Sequence, residues 1–437
     1  MIKPGERLWA GGGGLLIGGP YTWYITDFDQ RRHFSVTYCP SVPVKDSEET
    51  EEICLAKLRK HIDELGTDVL GIRFSDPDGP ITASTNIEDD VTWYTNCHPL
   101  SALRLPFPVK TIGMESLTEL DRMGPQVDLV TYPAEPTVHG MANTKVAFKY
   151  WFISNGMFRK WYELQCWARL PRDHPHIVPF DAVVLDNIRG GIVGFTSRYI
   201  PGGTLKDCNA TVRPFRLAWL RQLLSVVDDL NYRYGIMHQD IAARNLLIDE
   251  KDRLCIFDFN YSIVIKEHYT PERDDMKGVI FTLYEVITLD EHFREVPHLE
   301  QDAEAILRLE WTKHPDVKLD ADVSEFRNVL DSWIDKRRAR DFELVETCIQ
   351  WPLLPQAPMA PMLVGGPDGN KMEMKSSPVL IRSDLVQLNE PFLRWERPAS
   401  YRFRDVLEKD SRQEDVHGPV SHESATAQDS CKPVKGP

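Results

Sequence analysis

Hydrophobic and polar residues alternate across 22–38, the period of a half-buried strand. The run breaks at Asp27-Phe28-Asp29-Gln30, where a turn between two strands is expected. An acidic stretch at 48–65 has helical spacing, and 69–74 reads as a buried strand. Residues 117–132 read as strand, tight Met123-Gly124-Pro125-Gln126 turn and strand; 145–151 is β-rich, and 154–170 is helical. The clearest amphipathic pattern spans 214–234, with Leu220, Leu223, Leu224, Val227, Leu230 and Tyr234 on one face. Leu246-Leu247-Ile248 and Leu254-Cys255-Ile256-Phe257 flank an Asp249-Glu250-Lys251-Asp252 turn, as short paired strands do. Thr270-Pro271-Glu272 has the form of a helix start: a hydroxyl cap, proline in the first position and an acid in the first turn.

Beyond 352 prolines and glycines cluster, and beyond 407 the chain is polar and charged, so its end is expected to be disordered. Residues 385–401, with Phe392 and Trp395, are expected to dock onto the core. The glycines at 11–14 are followed by no Gly-Lys-Ser/Thr and preceded by no strand; a flexible segment is expected there, not a phosphate loop.

With 437 residues, 42% hydrophobic and 27% charged, the chain has the composition of an ordinary globular protein with room for more than one core. Its net charge of −15 argues against a general nucleic-acid or anionic-membrane surface, so neither is expected as a partner. The 8 cysteines show no paired or metal-ligand spacing, which predicts free thiols in a reducing compartment. No apolar run reaches a bilayer-spanning length, and the glycines near the start make a poor leader; the cytoplasm or nucleus is the expected location.

Two runs carry chemistry: His238-Gln239-Asp240-Ile241-Ala242-Ala243-Arg244-Asn245 and Phe257-Asp258-Phe259-Asn260. Two carboxylates and an amide at this spacing can form one site, in which one acid orients a hydroxyl and the other oxygen donors hold magnesium on a nucleotide's phosphates. The H-x-D-x-x-x-x-N…D-F-x pattern resembles the catalytic core of the protein kinase superfamily. That resemblance extends to Val146-Ala147-Phe148-Lys149, similar to the strand whose lysine holds the α- and β-phosphates. It extends also to Glu163, the match for the helix glutamate that fixes that lysine. His174-Pro175-His176-Ile177-Val178 resembles the family's H-P-x-I-V. Residues 198–205 resemble the hinge, where the backbone of Arg198 and Ile200 would meet adenine behind a small gatekeeper, Ser197. The resemblance implies Asp240, Lys149 and Glu163 as catalytic residues, with Asn245 and Asp258 as magnesium ligands. His238 is implied as a packed, loop-ordering residue, and Asp274 or Asp275 as a buttress of the catalytic loop.

Four departures qualify the pattern. Gly124 stands nearly alone before Lys149, Asn260 replaces the usual glycine, and Gln239 replaces the arginine of H-R-D. Asn260 is expected to tolerate a left-handed backbone, which makes that change mild. Little chain separates Asn260 from Glu272, so no activation by loop phosphorylation is expected. The aspartate of 274–285 also lies closer to its glycine than is usual.

The resulting expectation is an α+β, bilobal protein-kinase-like fold, β-rich in one lobe and mainly helical in the other. It comprises an N-terminal α+β extension at 1–112, the kinase-like domain at 113–350 and a largely disordered tail at 351–437. Across 113–350, with 392–398, the chain is most similar to fungal protein-kinase-like domains with a shortened glycine loop and activation segment. The expected activity is transfer of the ATP γ-phosphate, with Mg2+, to a hydroxyl acceptor: Ser/Thr or Tyr of a protein. A pseudokinase scaffold that binds a partner and a small-molecule kinase are the alternatives.

Overall fold

A computed structural model describes residues 2–44, 46, 48–133, 143–339, 349–365 and 371–400; the disorder expected at 401–437 lies outside them. The first sheet holds β1 (Leu8–Leu15), β2 (Tyr21–Asp27), β3 (Arg32–Tyr38), β4 (Gly71–Phe74) and β5 (Thr82–Ser84), in that order. The β3–β4 pair is parallel, which requires a crossover, and α1 (Glu49–His61) supplies it. Cys54 and Leu58 of α1 are buried in one cluster with Phe34, Val36 and Ile72. The glycines expected to be flexible instead lie within β1, where Gly13 opposes Trp23 and Gly14 opposes Thr22. A ladder is made by backbone groups, so a run without side chains can still pair when a register is offered.

After β6 (Trp93–Thr95) comes a six-stranded sheet of β7 (Thr111–Gly113), β8 (Thr118–Gly124), β9 (Val127–Pro133), β10 (Asn143–Tyr150), β11 (Phe180–Leu185) and β12 (Ile192–Arg198), ordered β7-β11-β12-β10-β9-β8. Helix α2 (Met157–Trp167) lies between β10 and β11 in sequence. The two-residue period of the strands divides this sheet between two cores. Val146, Phe148, Ala182, Val184 and Val193 join one cluster, while Val183, Ile192 and Phe195 join another with Trp161, Leu164 and Trp167 of α2. Lys149 therefore projects away from Phe148 and Tyr150, toward the α2 side.

The helical part contains α3 (Leu217–Asp228), which runs on into a π-helical turn at Asp229–Arg233, and the short strands β13 (Ile236–Met237), β14 (Leu246–Ile248), β15 (Leu254–Ile256) and β16 (Ile263–Val264). It closes with α4 (Ile265–His268), α5 (Asp275–Thr288), α6 (Ala303–Arg308) and α7 (Val323–Arg338). The apolar stripe of α3 is buried as its spacing requires, against residues of α5 and α7 such as Ile280, Phe326 and Leu330. The helix start expected at Thr270 is a 3-10 turn, Pro271–Arg273. Helix α5 begins five residues later, where the Asp274 carboxylate accepts from Met276 N at 2.8 Å.

Much of the tail expected to be disordered is ordered: β17 (Met359–Val364), β18 (Lys371–Ser376), β19 (Val379–Ile381) and α8 (Arg382–Gln387). β19 pairs with β6, joining this segment to the N-terminal one. Leu380, Leu385 and Trp395 are buried with Phe148 and Tyr150 over the outer face of the six-stranded sheet, where the expected docking of 385–401 is found. Arg397 fastens this strap through Glu119 Oε2, Asp128 Oδ2 and the Asp29 carbonyl, each at 2.7 Å. No helix among the described residues is long and apolar enough to cross a membrane.

Candidate functional site

Strand β10 and helix α2 bring Lys149 and Glu163 together. Lys149 Nζ lies 2.6 Å from Glu163 Oε2 and 2.6 Å from Asp258 Oδ1. Glu163 is fully buried, in the same turns of α2 as Trp161 and Leu164. Asp258 follows β15 and Phe257, whose N–H is held by the Asn245 carbonyl, and it takes a left-handed φ of 67°. The left-handed residue of this stretch is thus Asp258, and Asn260, expected to adopt that conformation, is not among the positive-φ residues described.

Electrostatics favour the charged forms of Lys149 and Asp258 and disfavour that of Glu163. Burial lowers the Lys149 pKa, but Asp258 and Glu163 outweigh it and hold the ammonium protonated well above the ordinary lysine range. Burial would likewise raise Asp258, but the Lys149 charge and hydrogen bond bring its carboxyl below the usual value. Burial pushes Glu163 up to about 8 against the pull of Lys149. One turn before Glu163, burial and the Lys149 charge bring Lys160 down to about 7. Sequence reasoning missed Lys160, although its spacing from Glu163 put both on one helix face.

The second half of the site is the loop after β13. Asn245 Nδ2 donates at 2.8 Å to both the carbonyl and the Oδ2 of Asp240. The other carboxylate oxygen, Oδ1, accepts from Arg244 Nη2. His238 is buried; its Nε2 meets the Phe257 carbonyl at 3.0 Å and its Nδ1 accepts from Asp240 N at 3.3 Å. A carbonyl can only accept, so Nε2 carries the proton and the ring links both runs of the motif. Asp275, not Asp274, braces this loop, accepting from His238 N at 2.7 Å, Gln239 N at 2.8 Å and Asn231 Nδ2 at 2.8 Å. Helix α5 comes close enough to do so because of Gly278, where a Cβ would stand 2.9 Å from the Ile241 Cβ. Gln239, standing where an arginine is usual, donates to the Arg273 carbonyl and so ties the loop to the turn before α5.

Arg198 and Ile200 lie at the end of β12 and just beyond it. The Arg198 N–H is held by the Pro179 carbonyl and its side chain pairs with Glu250, while the Ile200 side chain is buried in the core. Contact with a ligand there falls to the backbone. The following Gly202 and Gly203 take φ of 104° and 76°, which favour glycine, and Leu205 N then reaches the Leu246 carbonyl next to Asn245.

Asn245 and Asp258 are a fit for a hard divalent cation: one ionised carboxylate, and one amide whose nitrogen is turned to Asp240, which leaves its oxygen for a metal.

Curated protein kinases match part of the chain. The serine/threonine-protein kinase US3 of Human herpesvirus 1 (strain 17) is 32% identical over 110 residues, 23% of this chain and 21% of that kinase. A dual serine/threonine and tyrosine protein kinase of Apis mellifera is 30% identical over 98 residues, covering 21% of this chain and 10% of that protein. A kinase of Mus musculus is 34% identical over 93 residues, 21% of this chain and 18% of its own length. These matches support a protein-kinase-like domain. The chain thus spans between a tenth and about a fifth of the curated relatives it matches, and no family model matches it.

Proposed function

We propose that this chain is an atypical kinase that moves the γ-phosphate of ATP to a hydroxyl of a protein, on Ser/Thr or Tyr. The observation that carries the proposal is the Lys149 ammonium held between Glu163 and Asp258 at 2.6 Å from each. Packing alone does not call for two acids and a lysine in contact, since burying charge costs free energy unless a ligand or partner uses it.

In this reading Lys149 neutralises the α- and β-phosphates, and Glu163 keeps the lysine in place. The backbone of Arg198 and Ile200 meets adenine. Asn245 and Asp258 would hold magnesium, which would supply charge neutralisation at the phosphates. Asp240 orients the acceptor hydroxyl and takes its proton. The acceptor oxygen forms a bond to the γ-phosphorus as the bond from that phosphorus to the bridging oxygen breaks, and ADP leaves. Within this proposal residues 113–350 are the kinase-like unit, similar to fungal domains of that kind, with 1–112 and 371–400 covering the outer face of its sheet.

A second reading, a pseudokinase scaffold, is favoured by the hairpin before Lys149, where Gly124 faces Val127 across a two-residue turn that offers little backbone to phosphates. Nucleotide-dependent thermal stabilisation separates the two. The enzyme gives stabilisation with Mg·ATP and turnover, and the scaffold gives no turnover. Absence of both Mg·ATP binding and phosphoryl transfer contradicts the proposal.

A further inference from the structure

We infer that the acceptor is an acidic peptide segment, its hydroxyl residue flanked by carboxylates, received by an arginine-lined cavity at Asp240. This inference rests on the kinase reading above and names the substrate class of that site.

The cavity, of about 630 Å³, is of a size that admits a few side chains, and among the described residues Asp240 is the one acid on its wall. Three arginines line it, from three separate parts of the chain: Arg159 of α2, Arg244 of the catalytic loop and Arg273 of the turn before α5. With Asp240 ionised, three positive charges face one negative charge, leaving a surplus of two. Two of the arginines meet only neutral oxygens in the hydrogen bonds of the described residues: Arg159 donates to the Tyr261 hydroxyl at 2.7 Å and Arg273 to the His268 carbonyl at 3.3 Å. The third, Arg244, is bound to Asp240 Oδ1, the group proposed to act on the hydroxyl. An acceptor carboxylate would draw Arg244 to itself and release Asp240.

The surroundings add to the positive field. Burial first, then Lys277 and Arg294, hold His298 on the cavity wall below the ordinary imidazole range. The rim favours a peptide over a small polyol. Tyr261 and Leu299 line the cavity and are 45% and 61% exposed, so an apolar side chain next to the hydroxyl residue has a surface to cover.

The test uses the full chain, Mg·ATP and three peptide sets that share their Ser, Thr and Tyr residues but carry acidic, neutral or basic flanks. The expected result is kcat/KM about 10-fold higher for acidic than for neutral flanks, a preference that shrinks as salt rises. Arg159→Glu and Arg273→Glu should each reduce that preference, lowering kcat/KM for the acidic set more than for the neutral set. Equal or reversed preference overturns the acidic acceptor but leaves phosphoryl transfer standing, as does faster transfer to a small anionic polyol such as inositol phosphate. No transfer to any acceptor overturns the kinase reading and this inference with it.

Discussion

Lys149 Nζ donates to Asp258 Oδ1 at 2.6 Å, which joins the strand carrying the lysine to the loop after β15. The same ammonium is 2.6 Å from Glu163 Oε2, so a single cation holds together β10, α2 and that loop. Substituting Lys149 by Met leaves Glu163 and Asp258 without the ammonium that contacts both. We predict a loss of about 100-fold or more in phosphoryl transfer, the scale of removing one preorganised charge from a reacting site. Thermal stabilisation by Mg·ATP should vanish with it. Glu163→Gln should cost less, because it removes the lysine's support and not the charge that meets phosphate. Titrating both variants with Mg·ATP and following the melting temperature checks the order.

Gln239 already donates to the Arg273 carbonyl, so the turn before α5 is anchored without any phosphate. Phosphorylation between Asn260 and Glu272 should therefore not raise activity. Gln239→Ala, which removes the anchor, should lower kcat. Assaying protein before and after treatment with a phosphatase tests the first point. A drop in rate on dephosphorylating that segment would refute it.

His33 gives the fold a pH signature. It packs against Trp93 with ring centroids 4.8 Å apart, contacts Thr26 at 3.0 Å, and faces the Arg382 and Asp90 charges. Burial first, then Arg382, depress it from 6.5 to about 3. The unfolded chain takes up a proton below pH 6.5 that the folded chain refuses, so this contribution to stability is present above pH 6.5 and is lost as pH falls toward 3. Each unit of depression is worth about 1.4 kcal/mol. Urea denaturation of wild type and His33→Gln between pH 7 and pH 5 should show the flatter dependence in the variant, from a lower starting stability; equal slopes would exclude this origin.

The strap at 392–398 holds the outer face of the six-stranded sheet. Trp395 is buried and stacks on Tyr150, next in sequence to Lys149, with centroids 5.5 Å apart. Trp395→Ala should cost about 3–5 kcal/mol, as truncating a buried aromatic does. Arg397→Ala should cost less, about 1–3 kcal/mol, since Asp128 keeps Arg31 and Glu119 keeps Arg122 as partners. Chemical denaturation measures both, and a change under 1 kcal/mol would mean that the strap is not part of the folded core.

Local pattern was enough to read the strands and helices around the site. The alternation of Val146, Phe148 and Tyr150 puts Lys149 on the opposite face of its strand, and the motif spacing put Asp240 beside Asn245. The choice between Asp274 and Asp275 was not legible, because it depends on how α5 meets the loop at Gly278. The same holds for the helix start: Thr270-Pro271-Glu272 has the right residue types, yet Asp274 is the cap that reaches a backbone N–H. The glycines at 11–14 look flexible in isolation, and pairing with β2 is a tertiary event that their own sequence does not encode. Order in 359–364 and 371–384 escaped for a like reason: Ala360 and Leu380 gain their burial in a cluster with Phe148 and Tyr150, more than two hundred residues away in sequence, whereas the docking of 385–401 was expected from Phe392 and Trp395. Lys160 was visible as spacing only; its depressed pKa comes from the charges that folding gathers around it.

Transfer of radiolabelled γ-phosphate from Mg·ATP to an acidic Ser/Thr/Tyr peptide, by wild type and by Asp240→Asn, tests the central claim most directly. Asparagine keeps the shape of Asp240 but cannot take a proton from the acceptor hydroxyl. The account predicts measurable transfer by wild type and a loss of about 100-fold or more in the variant, with Mg·ATP binding retained. Transfer that is equal in the two proteins, or absent from both, would contradict it.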